Sequence, residues 1–230
     1  MARRLKASAT GAGAAAPPSL PHPPLMKEGP LATPRLTDEL RWSTLGTWPF
    51  WRNLAVYFCV FSLVGHWLEI IYCTFMDLFR IVDEDSLVWD DPFYPFLVYG
   101  VGCVVCAVAL LPLKDRLLRR CSTRTRAIAA FFLITVAVCM VMELGMGLLL
   151  NQPDAAGEYP LWDNSELPLN ILGQAWLVND VVLGAVAMLY TWFIYPWCEK
   201  TLAHVPRRAM DVVAIAVVAG FVVLCVFKFS

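Results

Sequence analysis

Charge is scarce in this sequence, and that scarcity defines its class. Only 16% of the 230 residues are Asp, Glu, Lys or Arg, whereas 59% are hydrophobic, and the mean hydropathy is +0.60. A soluble domain of this length does not need so much apolar surface to fill one core. The composition therefore excludes an ordinary soluble protein and predicts a protein embedded in the lipid bilayer, with no nucleic-acid partner.

The sequence also lacks the motifs of common enzyme classes. No glycine is followed by Lys-Ser or Lys-Thr, so there is no Walker A loop and the chain alone cannot bind ATP in that way. The motifs G-x-S-x-G and H-E-x-x-H are absent as well. We therefore expect no enzymatic activity. An intramembrane enzyme is a remaining alternative, and it predicts turnover of a lipid by the purified protein alone.

Cysteine is present, but not in loops that disulfides could join. Most of the eight cysteines fall inside apolar runs, so a disulfide framework is not expected. Cys103 and Cys106 form a C-x-x-C pair, yet no second pair or histidine stands at zinc-ligand spacing. We interpret both as small apolar packing residues and expect neither a metal nor a cofactor.

Two regions follow from the distribution of apolar residues. Met1 to Thr47 contains seven prolines and an Ala-Gly tract, which predicts a disordered cytoplasmic tail without a signal peptide. Residues 48–230 are predicted to form an all-α, polytopic bundle of about five transmembrane helices. The expected spans are residues 53–76, 93–113, 128–150, 175–195 and 212–227, of which the last is short and needs its flanks to cross the bilayer.

The basic residues predict the orientation. Of the 18 Lys and Arg, 16 lie before the first span, between the second and third, or between the fourth and fifth. The other two loops carry acidic residues instead. By the positive-inside rule, the amino terminus is cytoplasmic and the protein is a multi-pass protein of the plasma membrane. The carboxyl terminus is then outside, unless the fifth run only lies on the membrane surface.

Four ionisable residues inside the apolar runs are the site candidates: His66, Glu69, Glu143 and Asp180. A charge in the bilayer is costly, so such groups usually face the bundle interior. At 1.5 Å per residue, Glu69 and Glu143 lie roughly 23 Å from the cytoplasmic ends of their spans, and Asp180 lies roughly 8 Å below the outer surface. The three carboxyl groups thus share one layer in the outer third, with Asn179 beside them.

This layer has three interpretations. Ser62, His66, Glu69 and Cys73 share one face of the first helix, and acids there could bind a cation, accept protons or hold a cationic substrate. The acids could instead join helices by hydrogen bonds, with some carboxyls protonated. In the third interpretation, interfacial water simply reaches them.

The order of these features resembles a known family. A first helix reading FSLVGHWLE (residues 61–69) is followed by Glu143 and by LWDNSELPLNILG (residues 161–173). This series resembles the CmpB-type "putative ABC transporter type IV" membrane family. The resemblance covers about Phe58 to Pro196, which leaves the fifth span outside it.

The resemblance implies a permease-like subunit. Since the chain has no nucleotide site, an ATP-driven role requires a separate ATPase subunit. The external segment would dock on the helices through Trp162, Asp163, Asn170 and Gly173, as support for the site or as a plug or lid. We expect a transporter or permease component, whose small size suggests a homo-oligomer or a hetero-complex. The alternative is a membrane scaffold or regulatory protein in which the acids only pack helices.

Overall fold

The computed structural model describes residues 46–79, 81, 91–155, 157 and 159–230. In this part of the chain, five helices are long and apolar enough to cross a membrane: α1 (Trp48–Asp77), α2 (Leu97–Arg120), α3 (Arg124–Leu150), α4 (Leu177–Leu202) and α5 (Arg207–Phe229). The predicted all-α bundle is confirmed, and the chain is a multi-pass membrane protein. The predicted disordered tail lies outside the described residues, apart from residues 46 and 47.

The helices begin and end at different residues from the apolar runs. α2 begins at Leu97 rather than at residue 93, because Pro92 and Pro95 favour an extended chain before it. α4 begins at Leu177, since the two residues before it form a strand. The 23 residues of α5 extend the short fifth run at both ends and reach about 34 Å, enough for a bilayer core of about 30 Å.

α2 and α4 each contain one wide, π-helical turn. These turns are Cys106–Leu110 in α2 and Tyr190–Ile194 in α4. Two residues after each turn comes a proline, Pro112 or Pro196. Proline lacks an amide hydrogen, and its ring collides with the carbonyl four residues earlier. The wider turn accommodates that ring, so each helix continues across the proline.

The helices pack as two antiparallel pairs with a fifth helix at the side. α1 packs along the first half of α2, α3 packs along α4, and α5 packs mainly on α1. The fully buried Phe131 lies in the central core, which also contains Tyr57, Cys103, Cys106, Leu110 and Tyr190. Only 11% of the most apolar stretch of α5 is buried, so α5 is the helix most exposed to lipid.

The bundle has two chemically different ends. α1, α3 and α5 begin at one end of the bundle. We call it the basic end, because it carries Arg52, Arg120 and Arg124. The opposite end, which we call the loop end, carries the segment between α3 and α4. That segment contains a short antiparallel hairpin of β1 (Asn170–Ile171) and β2 (Ala175–Trp176).

Candidate functional site

His66 is the buried polar residue at the centre of the α1 face that points into the bundle. Its side chain is 1% exposed, and its Nε2 lies 3.0 Å from the backbone oxygen of Asp91. A carbonyl oxygen only accepts, so Nε2 must carry a hydrogen. Nδ1 lies 3.4 Å from Oε2 of Glu69, which is a further acceptor when ionised. The contact therefore requires one proton between His66 and Glu69.

The same corner ties α5 to the α1–α2 connection. Nζ of Lys228, near the end of α5, lies 2.5 Å from Oδ2 of Asp91, and the amide of Phe93 donates to Oδ1 at 3.1 Å. The ammonium group of Lys228 holds the pKa of the Asp91 carboxyl below its ordinary value, because it stabilises the ionised form. This ion pair fixes the loop end of α5 against α1.

Tyr99 links the first glutamate to the second. Its side chain hydrogen-bonds Glu69 and lies within electrostatic range of Glu143. The ring packs directly on Gly65, where even a Cβ atom would collide with it. The absence of a side chain at Gly65 therefore lets α2 bring Tyr99 between the two carboxyl groups.

Glu143, on α3, faces the first turn of α4. Its Oε1 accepts a hydrogen bond from Nδ2 of Asn179 at 2.5 Å, and its Oε2 accepts one from the backbone amide of Trp176 at 3.4 Å. The strand β2 ends at Trp176, so the hairpin and the start of α4 together present donors to this carboxylate. Each oxygen of Glu143 thus has one partner.

Asp180 is the least satisfied polar residue of the site. It is completely buried, and neither of its carboxyl oxygens meets a hydrogen-bond donor within the described residues. Its carboxyl group interacts with that of Glu143. Two carboxyl groups can form a hydrogen bond only if one of them is protonated. An unpaired buried acid is expensive in a membrane protein, which marks this position as a candidate site.

The segment between α3 and α4 is held by its own side chains. Oδ1 of Asp163 accepts from the amide of Ser165 at 2.8 Å, and Nδ2 of Asn170 donates to the carbonyl of Leu167 at 2.8 Å. Gly173 has φ of 69°, a left-handed conformation that glycine adopts without strain. These contacts shape a tight turn around β1 and β2.

A second set of hydrogen bonds attaches this segment to α3. Asn151, directly after α3, is 1% exposed and donates through Nδ2 to Oε1 of Gln174 at 3.0 Å and to the carbonyl of Trp162. Nε1 of Trp162 donates to the carbonyl of Gln174 at 2.8 Å. Gln174 itself packs against Gly147 of α3. The segment is therefore docked on the end of α3.

Of the predicted site residues, the structure places some in direct contact and others apart. Glu143 and Asp180 are neighbours, whereas Glu69 reaches them through Tyr99 and is paired with His66. The predicted loop residues, namely Trp162, Asp163, Asn170 and Gly173, shape the loop and have no hydrogen bond to the carboxyl groups. Their assignment as site support stays a prediction. The actual donors from this region are Trp176 and Asn179.

Three contributors were not found from the sequence. Tyr99 lies near the start of α2, at the loop end, where an aromatic residue reads as a membrane-interface anchor. Trp176 acts through its backbone, which no side-chain pattern reveals. Lys228 could have been suspected, because it is a basic residue in an apolar helix whose other basic residues lie at the opposite end.

The basic end holds a separate polar network. Arg52 is 7% exposed and donates to Oδ1 of Asp211 at 2.9 Å. The hydroxyl of Tyr57 donates to Oε1 of Glu199 at 2.6 Å, and Asn53 donates to the same oxygen at 3.4 Å. These contacts connect α1 with α4 and α5. Within the described residues, no three His, Cys, Asp or Glu side chains are grouped so as to hold a metal ion.

The chain matches the family described as "Putative ABC-transporter type IV" over residues 56–229. The protein belongs to this family. The match runs through α5, so the expectation that the fifth span lies outside the family region is wrong. No curated protein and no solved structure matches the chain.

Proposed function

We propose that this protein is the membrane-embedded component of a transporter, and that it binds a cation or a cationic substrate in the carboxyl layer. The observation that supports this most is Asp180, which is buried, meets no donor among the residues that the structure describes, and faces a second acid. A residue with only a packing role would be expected to find a partner among the surrounding helices. Glu69 and His66 extend the same layer toward α5.

An ATP-driven mechanism would need a partner for this chain. The sequence has no Walker A loop, so ATP-driven transport needs a separate ATPase subunit. We place the amino terminus and the basic end in the cytoplasm and the carboxyl layer near the outer face of the plasma membrane. A bundle of five helices is small for a central pathway, so the unit in the membrane is a homo-oligomer or a hetero-complex. We propose no enzymatic activity.

A scaffold or regulatory role is the second candidate. It is favoured by the hydrogen bonds of Glu143, which join α3 to the start of α4 as a purely structural residue would. In that case the amino-terminal tail would recruit a cytoplasmic partner. Deleting residues 1–47 separates the candidates, since the scaffold would lose its partner while the transporter would keep its activity.

The first test is extraction from the native membrane in mild detergent, followed by mass spectrometry of what co-purifies. The transporter proposal predicts a stoichiometric ATP-binding subunit, or substrate uptake by the protein alone after reconstitution. A triple variant should abolish substrate uptake by the reconstituted protein; its substitutions are Glu69→Gln, Glu143→Gln and Asp180→Asn. The control Glu166→Gln, at an exposed loop position, should not. Uptake that survives the triple substitution in a folded protein would exclude the carboxyl layer as the site.

A further inference from the structure

α2 and α4 repeat the same pattern. Their π turns start 84 positions apart, and so do four chemically matched pairs around them. The pairs are Gly100 with Gly184, Pro112 with Pro196, Asp115 with Glu199, and Arg116 with Lys200. One glycine, one proline, one acid and one base thus keep the same spacing to the same irregular turn in two helices.

α1 and α3 repeat each other as well. At a separation of 74 positions they match in Arg52 with Arg126, Tyr57 with Phe131, Phe58 with Phe132, and Glu69 with Glu143. The packing between helices follows the same correspondence. Gly100 of α2 lies against Ser62 of α1, and Gly184 of α4 lies against Val136 of α3. Ser62 and Val136 each stand seven positions before the matched glutamate.

The core joins the two halves through matched residues. Tyr57 and Phe131 are a matched pair and both lie in the central core, as do Cys106 and Tyr190. The two π turns also contact each other. The two hairpins, α1–α2 and α3–α4, therefore match at these positions, and they run in the same direction through the membrane. Glu69 and Glu143 are equivalent positions in this arrangement.

The two halves differ where the carboxyl layer forms. In the first half, the residue three positions before the glutamate is His66, and the position that matches Asp180 is Phe96. In the second half, Met140 replaces the histidine and Asp180 is present. Glu69 therefore has a basic partner on its own helix, whereas Glu143 has a second acid. Within the described residues, the other ionisable groups around the second pair are Cys139, Tyr72 and Tyr99, and none of them is basic.

We propose that the second hairpin, unlike the first, holds an exchangeable proton shared between two carboxyl groups, those of Glu143 and Asp180. With one proton, the pair carries a single negative charge, which lies at the first turn of α4, where the helix dipole favours it. Release of that proton leaves two carboxylates in contact, which requires a cation to replace it. This inference rests on the proposed transport function, since it identifies the proton as the coupling ion.

The test uses a hydrophobic carbodiimide, which modifies carboxyl groups that are protonated in an apolar environment. The purified full-length protein is labelled in detergent and the modified residues are found by peptide mass spectrometry. We expect modification of Glu143 or Asp180 at neutral pH, loss of that label at alkaline pH, and no comparable label on Glu69. A label on Glu69 as strong as on the second pair, or none on that pair at any pH, would overturn the proposal.

A substitution that copies the first half into the second sharpens the test. Met140→His places a base three residues before Glu143, as His66 stands before Glu69, and should remove the carbodiimide label. The matched control is Val141→His, because Val141 is 71% exposed on the lipid side, and there the label should persist. Persistence of the label in Met140→His would contradict the proposal.

Labelling without any transport would refute only the transport function, and transport without labelling would refute only the proton site.

Discussion

Among the described residues, the polar network at the basic end joins acids to donors, whereas the buried acid Asp180 at the loop end faces a second acid. Arg52 meets Asp211, and Glu199 accepts hydrogen bonds from Tyr57 and Asn53. At the loop end Asp180 has no donor within the described residues and faces another acid. Pairing explains Arg52, Asp211 and Glu199 as residues whose contacts hold helices together. A buried acid without a donor is instead expected at a site that binds a proton or a cation.

The largest effect on stability is expected from Arg52→Met at the basic end. The change leaves Asp211 without its cation and removes the donor to Asn53, so the free energy of unfolding should fall. Denaturant unfolding in mixed micelles, followed by circular dichroism, measures it. Arg116→Met, at an exposed position, is the control. Equal losses in both variants would show that the basic end is not held by this ion pair.

Two tyrosines give a matched comparison between the ends. The hydroxyl of Tyr57 donates to Glu199, so Tyr57→Phe should lower the free energy of unfolding by about 1 kcal/mol. The buried hydroxyl of Tyr72 has no hydrogen-bond partner in the described part of the chain, so Tyr72→Phe should cost nothing or be slightly stabilising. A larger loss of unfolding free energy in Tyr72→Phe than in Tyr57→Phe would contradict the hydrogen bonding described for these two hydroxyl groups.

The ion pair of Asp91 predicts a dependence on pH at the loop end. Because Lys228 lowers the pKa of Asp91 in the folded state, the pair stabilises the protein fully above the ordinary aspartate pKa of about 4. That contribution should disappear as pH falls through the lowered folded value. Asp91→Asn should therefore be less stable than the wild type at neutral pH and equally stable in acid. A stability difference that is constant over this range would contradict the pairing.

The smallest effect is expected for Asp180→Asn. Since the asparagine amide can donate to Glu143 in place of the shared proton, the free energy of unfolding should change by no more than about 0.5 kcal/mol, or rise. The same variant should lose uptake in reconstituted vesicles. Glu199→Gln is the contrasting variant, because it weakens the basic-end network and should cost stability. A strongly destabilised Asp180→Asn would assign this acid to packing.

Much of the fold follows from local properties of the sequence. A chain that crosses lipid must satisfy its own backbone hydrogen bonds, so a long apolar run indicates a helix. The five apolar runs predicted α1 to α5 in this way. The shared level of Glu143 and Asp180 also followed from the fixed rise per residue in antiparallel helices. The family resemblance was correct, although its boundary at Pro196 was too early.

The remaining details depend on contacts between distant residues. Asp91 and Lys228 form an ion pair although they are 137 positions apart in the sequence, so no local pattern predicts it. The link through Tyr99 depends on its close approach to Gly65, which only packing reveals. The internal duplication was in principle visible as matched spacing, but the π turns that anchor the comparison needed the structure.

The most direct test of this account is infrared difference spectroscopy of the purified protein between neutral and alkaline pH, in the region of protonated carboxyl groups. The account predicts a band that disappears at alkaline pH in the wild type and in Glu69→Gln. The same band should be absent from Glu143→Gln and from Asp180→Asn. A band that persists in both of those variants, or one that is lost only in Glu69→Gln, would contradict the claim that the second hairpin holds the proton.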